Sequence, residues 1–375
     1  MRRNFTAIST IIISILFLII YWTMPLQIKQ TVNSNLIHGN REVIQSLQPE
    51  LYYNLPNPSI NDAPTIINVN AQSIQPKMFN LFHNTEQRDS IYQHYSLSKR
   101  PPIANQFPTN HPQVWYKINR DFNGNATELD YTVFNTDYRE FSTYHYPLTN
   151  NYNTQFIACV EDQDYYYLLL TYQNFPTENE MGSQSIERLK IDKTSGDVVD
   201  SKNMAIDSKY YLNINYHSYN THPHSKTTLI CLDEVQTEPQ NDLEYQPISH
   251  YQWLNIKDLT MEEVKHPEIV EDMYYNHNLI YNSTFYFVEL NQDQTEATIK
   301  ALDIASNKTK KIRTIPQMMD IALTSELLIT AEKLSNQKIQ LQAFNLLDNQ
   351  LIYQENFETN KDYQWSGVSL QSENY

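Results

Sequence analysis

Glycine is nearly missing from this chain, at 5 of 375 residues. Folds that cradle nucleotides need glycine where the backbone closes on phosphate, and no phosphate loop or dinucleotide fingerprint is present. The glycine-flanked serine elbow of one hydrolase class is absent too. Cysteine is as scarce. Cys159 and Cys231 belong to no C-x-x-C pair, which excludes a dithiol redox motif and a thiolate zinc site. Each lies in an apolar run, FIACV or TTLICL, and reads as a buried strand residue; spacing leaves open whether the two pair. Cations are outnumbered, 27 Lys and Arg against 43 Asp and Glu, for a formal charge of -16. A chain so acidic is repelled by polyanions, so nucleic acid is not an expected partner.

What is abundant favours strands. Tyrosine occurs 28 times, and aromatic and β-branched side chains suit a half-buried pleated surface. Residues 185–202, SIERLKIDKTSGDVVDSK, set two short β-favouring runs around a polar turn containing Gly196, which is a hairpin pattern. Short apolar runs continue the texture from about Val114: WYKIN, ELDYTVF, FIACV, YYYLLLTY, YYLNINY, KTTLICL, STFYFVEL, ATIKALDI, ELLITAE and IQLQAFNL. Strands at such intervals point to an all-β fold rather than alternating βαβ units. One helix is expected to interrupt them, with Thr260 and Glu263 as its capping box and Met261, Val264, Ile269 and Met273 following.

The amino-terminal region has another character. Residues 1–4 carry Arg2 and Arg3, and Phe5–Met24 is apolar and uncharged. Twenty helical residues span about 30 Å, the hydrocarbon thickness of a bilayer. No small-residue cleavage site follows, so residues 5–25 read as a retained transmembrane signal anchor with the amino end in the cytoplasm. Residues 26–50 read as a helical stalk, with Ile28, Val32 and Leu36 four apart and Pro49 ending it. A short helix is expected over Gln87–Leu97, and residues 51–375 form the extracytoplasmic β-rich part.

Within that part ERLKID, IKALDI and LQAFNL each run into a polar turn. Turns near residues 136, 196, 258, 307 and 348 fall at or somewhat above the roughly 40–50 residues of a four-stranded blade. These strands resemble the outer hairpins of β-propeller repeats, as in quinoprotein-like bacterial propellers. The resemblance implies an all-β, propeller-like domain of about 6–7 blades behind the transmembrane helix. It brings no cofactor residues with it, and no cofactor is expected. Ring closure by mixed ends would have Thr65–Val69 join the blade containing residues 326–357.

Three histidines, His217, His222 and His224, lie within eight residues and form the candidate metal site, since neutral imidazoles ligate Zn and Cu. Glu161, Asp162 and Asp164 form an acidic turn that reads as hydrated, without the spacing of a calcium loop. Tyr165, Tyr167, Tyr211, Tyr219 and Trp253 are the candidate ligand-binding aromatics, offering large contact areas with polar tips. No catalytic constellation emerges from spacing. The first expectation is therefore an anchored binding or scaffolding protein whose partner is an envelope protein, peptide or cell-wall polymer. Alternatives are a regulatory accessory protein of a membrane sensor kinase or transporter, and a propeller-based hydrolase or cyclase using the three histidines.

Overall fold

A computed structural model describes residues 32–47, 49–54, 65–69, 74–76, 107–109, 111, 113–122, 124–135, 140–148, 153–173, 183–213, 221–234, 248–265, 278–324 and 327–370. Phe5–Met24 and the helix expected over Gln87–Leu97 lie outside them. Among the described residues no helix is long and apolar enough to cross a membrane. In chain order the elements are β1 (Val32–His38), a 3-10 helix (Arg41–Leu47), β2 (Glu50–Asn54), β3 (Thr65–Val69) and β4 (Ile74–Pro76). Then come β5 (Phe107–Pro108), β6 (Val114–Arg120), β7 (Ala126–Asn135), β8 (Glu140–Pro147), β9 (Asn153–Glu161), β10 (Tyr165–Gln173), β11 (Gln184–Asp192) and β12 (Val198–Ile206). There follow β13 (Tyr210–Asn213), β14 (Thr227–Glu234), β15 (Ser249–Asn255), β16 (Thr260–Glu263), β17 (Asn278–Tyr281), β18 (Thr284–Leu290), β19 (Ala297–Asp303) and β20 (Lys308–Ile315). The last are β21 (Met318–Leu323), β22 (Leu327–Lys333), β23 (Lys338–Asn345), β24 (Leu351–Thr359) and β25 (Gln364–Ser369).

These strands form six antiparallel sheets, five with four strands and one with five. Four-stranded meanders in series are the repeat of a propeller-like fold, and the all-β expectation stands. The chain divides into two compact units. In the larger unit, β5–β8, β9–β12, β13–β16 and β17–β20 are consecutive meanders. Alternation along β10 shows how they stack. Tyr166, Leu168, Leu170 and Tyr172 pack with Val114, Leu129 and Tyr131 of the preceding meander. Tyr167 and Leu169 point the other way and pack with Ile230, Leu232 and Leu254 of the next one. Phe285 and Phe287 continue the stack against Leu229 and Trp253.

The smaller unit mixes the chain ends. β25 pairs with β2 in the sheet β25-β2-β3-β4, and β1 pairs with β24 as a fifth strand on β21–β24. Thr65–Val69 thus lies beside β2 and β4, not in the sheet of residues 326–357, which instead takes β1. The stalk is corrected as well, since residues 32–38 are a strand and residues 41–47 a single 3-10 segment. The open edge of β24 offers Val32–His38 backbone partners that outweigh a weak helical spacing. The start of the helix expected from Thr260 gives way for the same reason, while Ile269 and Met273 lie outside the described residues. Residues 260–263 pair with residues 252–255 as an edge strand.

Glycine's scarcity is met by other residues in the turns. Asn282, Asn307 and Asn349 take positive φ, as do Gln294, Gln317 and Leu259. Asparagine reaches the left-handed region at low cost because its short polar side chain bonds locally. Gly196 is indispensable in a different way, with φ at +75° and no room for a Cβ against the Tyr144 ring.

One charged contact ties the 3-10 segment to β24. Glu355 is fully buried. Arg41 donates to it from both Nε, at 2.7 Å, and Nη2, and Tyr353 Oη donates at 2.7 Å. Removing the guanidinium strands a buried carboxylate. Arg41→Ala is expected to lower unfolding free energy by about 3 kcal/mol or more in urea denaturation. A loss below about 1 kcal/mol would mean that Glu355 is not held by this pair.

Candidate functional site

Three links between the first and second strands of consecutive meanders meet at one end of the larger unit. The β5–β6 link carries His111, β9 ends on Glu161, and the β13–β14 link carries His222 and His224. They are joined by backbone as well as side chains, since Glu161 N–H donates to the Pro223 carbonyl at 2.6 Å. His222 N–H donates to the carbonyl of Ile280 at 2.8 Å, which fixes the loop on β17. The turn leaving β11 supplies Lys193. Register places it there, because Glu161 pairs with Tyr166, and Tyr165 with Asp192.

Glu161 is the centre. His111 Nε2 lies 3.3 Å from its Oε2, His224 Nδ1 lies 3.4 Å from its Oε1, and the Lys193 ammonium donates to Oε2. Burial by itself would raise the carboxyl's pKa, but the neighbouring His111 and Lys193 outweigh it and hold Glu161 at about 2. The carboxylate therefore stays charged throughout the neutral range.

His111 and His222 are built alike. Each is followed by proline, and each accepts at Nδ1 from the backbone N–H two residues on, Gln113 for one and His224 for the other, both at 3.1 Å. A ring that accepts at Nδ1 is neutral with its proton on Nε2. Burial agrees, lowering the pKa of His111 and bringing His222 down to about 4. Neither nitrogen of a ring in that tautomer is free to bind a metal, which needs a lone pair on the ligating nitrogen. Of the expected metal trio, His222 and His224 are thus brought together with ring centroids 5.2 Å apart, whereas His217 lies outside the described residues.

His111 is 3% exposed, and its Nε2 makes no hydrogen bond despite its closeness to Glu161, because the geometry is out of line. His224 is the exposed member, with 58% of its side chain open. Next door, Asp162 accepts from Lys257 Nζ at 2.5 Å and Tyr167 Oη at 2.8 Å. Burial opposes its ionisation, yet these bonds and two backbone N–H donors hold its pKa at about 2. The acidic turn is hence internally paired and not merely hydrated.

The expected aromatic surface is dispersed. Lys190 Nζ sits 3.7 Å from the ring centroid of Tyr165, Tyr167 is buried, and Tyr211 is exposed on β13. Trp253 packs edge-on to Phe285 inside the stack, and Tyr219 lies outside the described residues. Cys159 and Cys231 are buried free thiols whose pKa burial raises, which disqualifies both as nucleophiles. A further trio on β7 and β8, Glu128, Asp130 and His145, is compact, but Asn119 already donates to both carboxylates and His145 to Asp130.

His111, Glu161 and Lys193 escaped the sequence reading as a group. The usable signal was the second His-Pro dipeptide, His111-Pro112, placed like His222-Pro223 just ahead of an apolar strand.

No protein-family model and no curated protein matches the chain. Among solved structures it is similar to an oligogalacturonate lyase in complex with manganese, at 10% identity over 85% of this chain and 77% of that one, with a TM-score of 0.35. It is also similar to a D477G ACO/RPE65 chimera, at 11% identity over 94% and 98%, TM-score 0.39. The Trp149Ala mutant of Synechocystis apocarotenoid oxygenase gives 10% over 90% and 95%, TM-score 0.37. Likenesses at this level assign no activity.

Acid should act on the cluster in two separate windows. His222 has a folded pKa below its ordinary 6.5, so the unfolded chain takes up that proton first. Its contribution is complete above pH 6.5, falls as the pH drops towards 4, and changes no further below that. Glu161 contributes above its ordinary 4.5 and is lost as the pH falls through about 2. Urea midpoints measured from pH 7 to pH 4 should therefore fall more steeply for the wild-type chain than for His222→Gln. Parallel slopes would show that His222 is not buried as a neutral ring.

Proposed function

We propose that this chain is a membrane-anchored, extracytoplasmic, propeller-like hydrolase in which His224 is the general base and Glu161 orients it. The observation that carries the reading is the 3.4 Å approach of His224 Nδ1 to Glu161 Oε1, on a ring that lies beside His222 and keeps more than half of its side chain open to solvent. A carboxylate this near favours the tautomer with its proton on Nδ1, which leaves the lone pair on Nε2, the nitrogen that then takes a proton from a bound water. As the ring becomes an imidazolium, the same carboxylate stabilises it. Glu161 is unsuited to be the base, since a carboxylate held at about 2 binds protons too weakly near neutrality. His222 and His111, both buried and neutral, define the back of the site. In support of the anchor, Arg2 and Arg3 stand ahead of the uncharged run Phe5–Met24, a pattern that suits an amino end in the cytoplasm and a folded part outside it. Its substrate is then a part of an envelope protein, peptide or cell-wall polymer.

The test uses the full chain in detergent micelles with nitrophenyl esters, peptide anilides and nitrophenyl glycosides. His224→Gln is expected to lower kcat/KM by about 10²- to 10⁴-fold with little change in Tm. On substrates without an ammonium group, Glu161→Gln should lower kcat more than it raises KM. Turnover that survives His224→Gln, or no turnover across all three substrate classes, would overturn the assignment.

A further inference from the structure

Lys193 is held in a way that an ordinary surface ion pair is not. Its ammonium donates to Glu161 Oε2 and, at 2.6 Å, to the main-chain carbonyl of Asp162. It also lies 5.0 Å from the ring centroid of Tyr166. A carboxylate, a carbonyl and an aromatic face are together the chemistry that recognises a primary ammonium group. The side chain remains partly open to solvent, and the turn that bears it does not depend on it. Asp192 Oδ1 accepts from the N–H groups of Thr194 and Ser195, both at 2.9 Å, Gly196 N–H donates to the Asp192 carbonyl at 2.8 Å, and Tyr131 Oη donates to the Gly196 carbonyl.

The occupied arrangement leaves a debt. The oxygen that accepts from Lys193 is also the one 3.3 Å from His111 Nε2, so the buried N–H shares its near acceptor with the ammonium and meets it out of line. Turning Glu161 to satisfy His111 requires a different cation position, which a mobile ligand provides more readily than a tethered lysine. The charge of -16 draws cations towards the chain as a whole.

We propose that Glu161, the Asp162 carbonyl and the Tyr166 ring form a cage for a primary ammonium group, that Lys193 is its resident occupant, and that a substrate binds by putting its own ammonium in place of Lys193. This names the substrate class for the site and rests on the reading of Glu161 and His224 as its working pair. The ammonium belongs to a lysine side chain or to an amino sugar, two sources with one chemistry.

Isothermal titration of the full chain in micelles tests it with three probes: N-acetyl-lysine methylamide, glucosamine, and uncharged N-acetyl-norleucine methylamide. Lys193→Ala should bind at least one ammonium probe about tenfold or more tighter than the wild type, and whichever it binds identifies the source. The norleucine probe should bind neither form, and adding Glu161→Gln to Lys193→Ala should abolish the gain. If Lys193→Ala melts early, ethylammonium should raise its Tm and leave that of the wild type unchanged. Equal affinity in Lys193→Ala and wild type, binding of the norleucine probe, or no thermal response to ethylammonium in an early-melting variant would overturn the cage. His224→Gln should keep the ammonium binding, so a failed base assignment and a failed cage give different results.

Discussion

Burial of both faces of the middle meanders, β9–β12 and β13–β16, is the constraint on which the larger unit depends. β10 shows it most fully, with alternate side chains committed to the meanders before and after it. A strand covered on both sides has no face left for a ligand, so recognition moves to the ends of the strands and the links between them. The candidate site accordingly lies on the first links of three consecutive meanders. Stacking also sets the spacing, because the three links can converge only if the sheets are packed face to face.

Within the site a single carboxylate organises the rest. Glu161 draws in one ammonium and two imidazoles, and the duplicated His-Pro link keeps the buried rings neutral by giving each Nδ1 a backbone N–H. The result separates the duties of similar groups. Glu161 keeps its charge and the rings of His111 and His222 stay neutral, whereas His224 is the exposed ring of the three. Three histidines thus sit in two kinds of surroundings, decided by burial and by which nitrogen already has a partner.

The smaller unit solves a different problem with the same means. Its two sheets each take a strand from the opposite end of the chain, β1 beside β24 and β25 beside β2. Arg41 pins this arrangement by meeting the buried Glu355. Asparagine and glutamine serve at tight turns where a chain richer in glycine would use it, so low glycine content limits nucleotide binding without limiting hairpins.

Strands β6, β7, β9, β10, β13, β14, β18, β19, β22 and β23 were readable because short aromatic and β-branched runs between polar turns have few other stable outcomes. The hairpin at residues 185–202 was readable down to its glycine. Residues 32–38 and 260–263 were misread as helix, since local spacing is a weak preference that an available sheet edge overrides. His224 and His222 could be singled out from adjacency in the chain, but their partners could not. Glu161 is 63 positions from His224, and His111 lies 50 positions before Glu161. Alternation and turn chemistry are local properties, and they alone determined that this chain is built of β meanders. The convergence of a carboxylate, an ammonium and three imidazoles arises from stacking between sheets, a long-range packing outcome that only the tertiary structure decided.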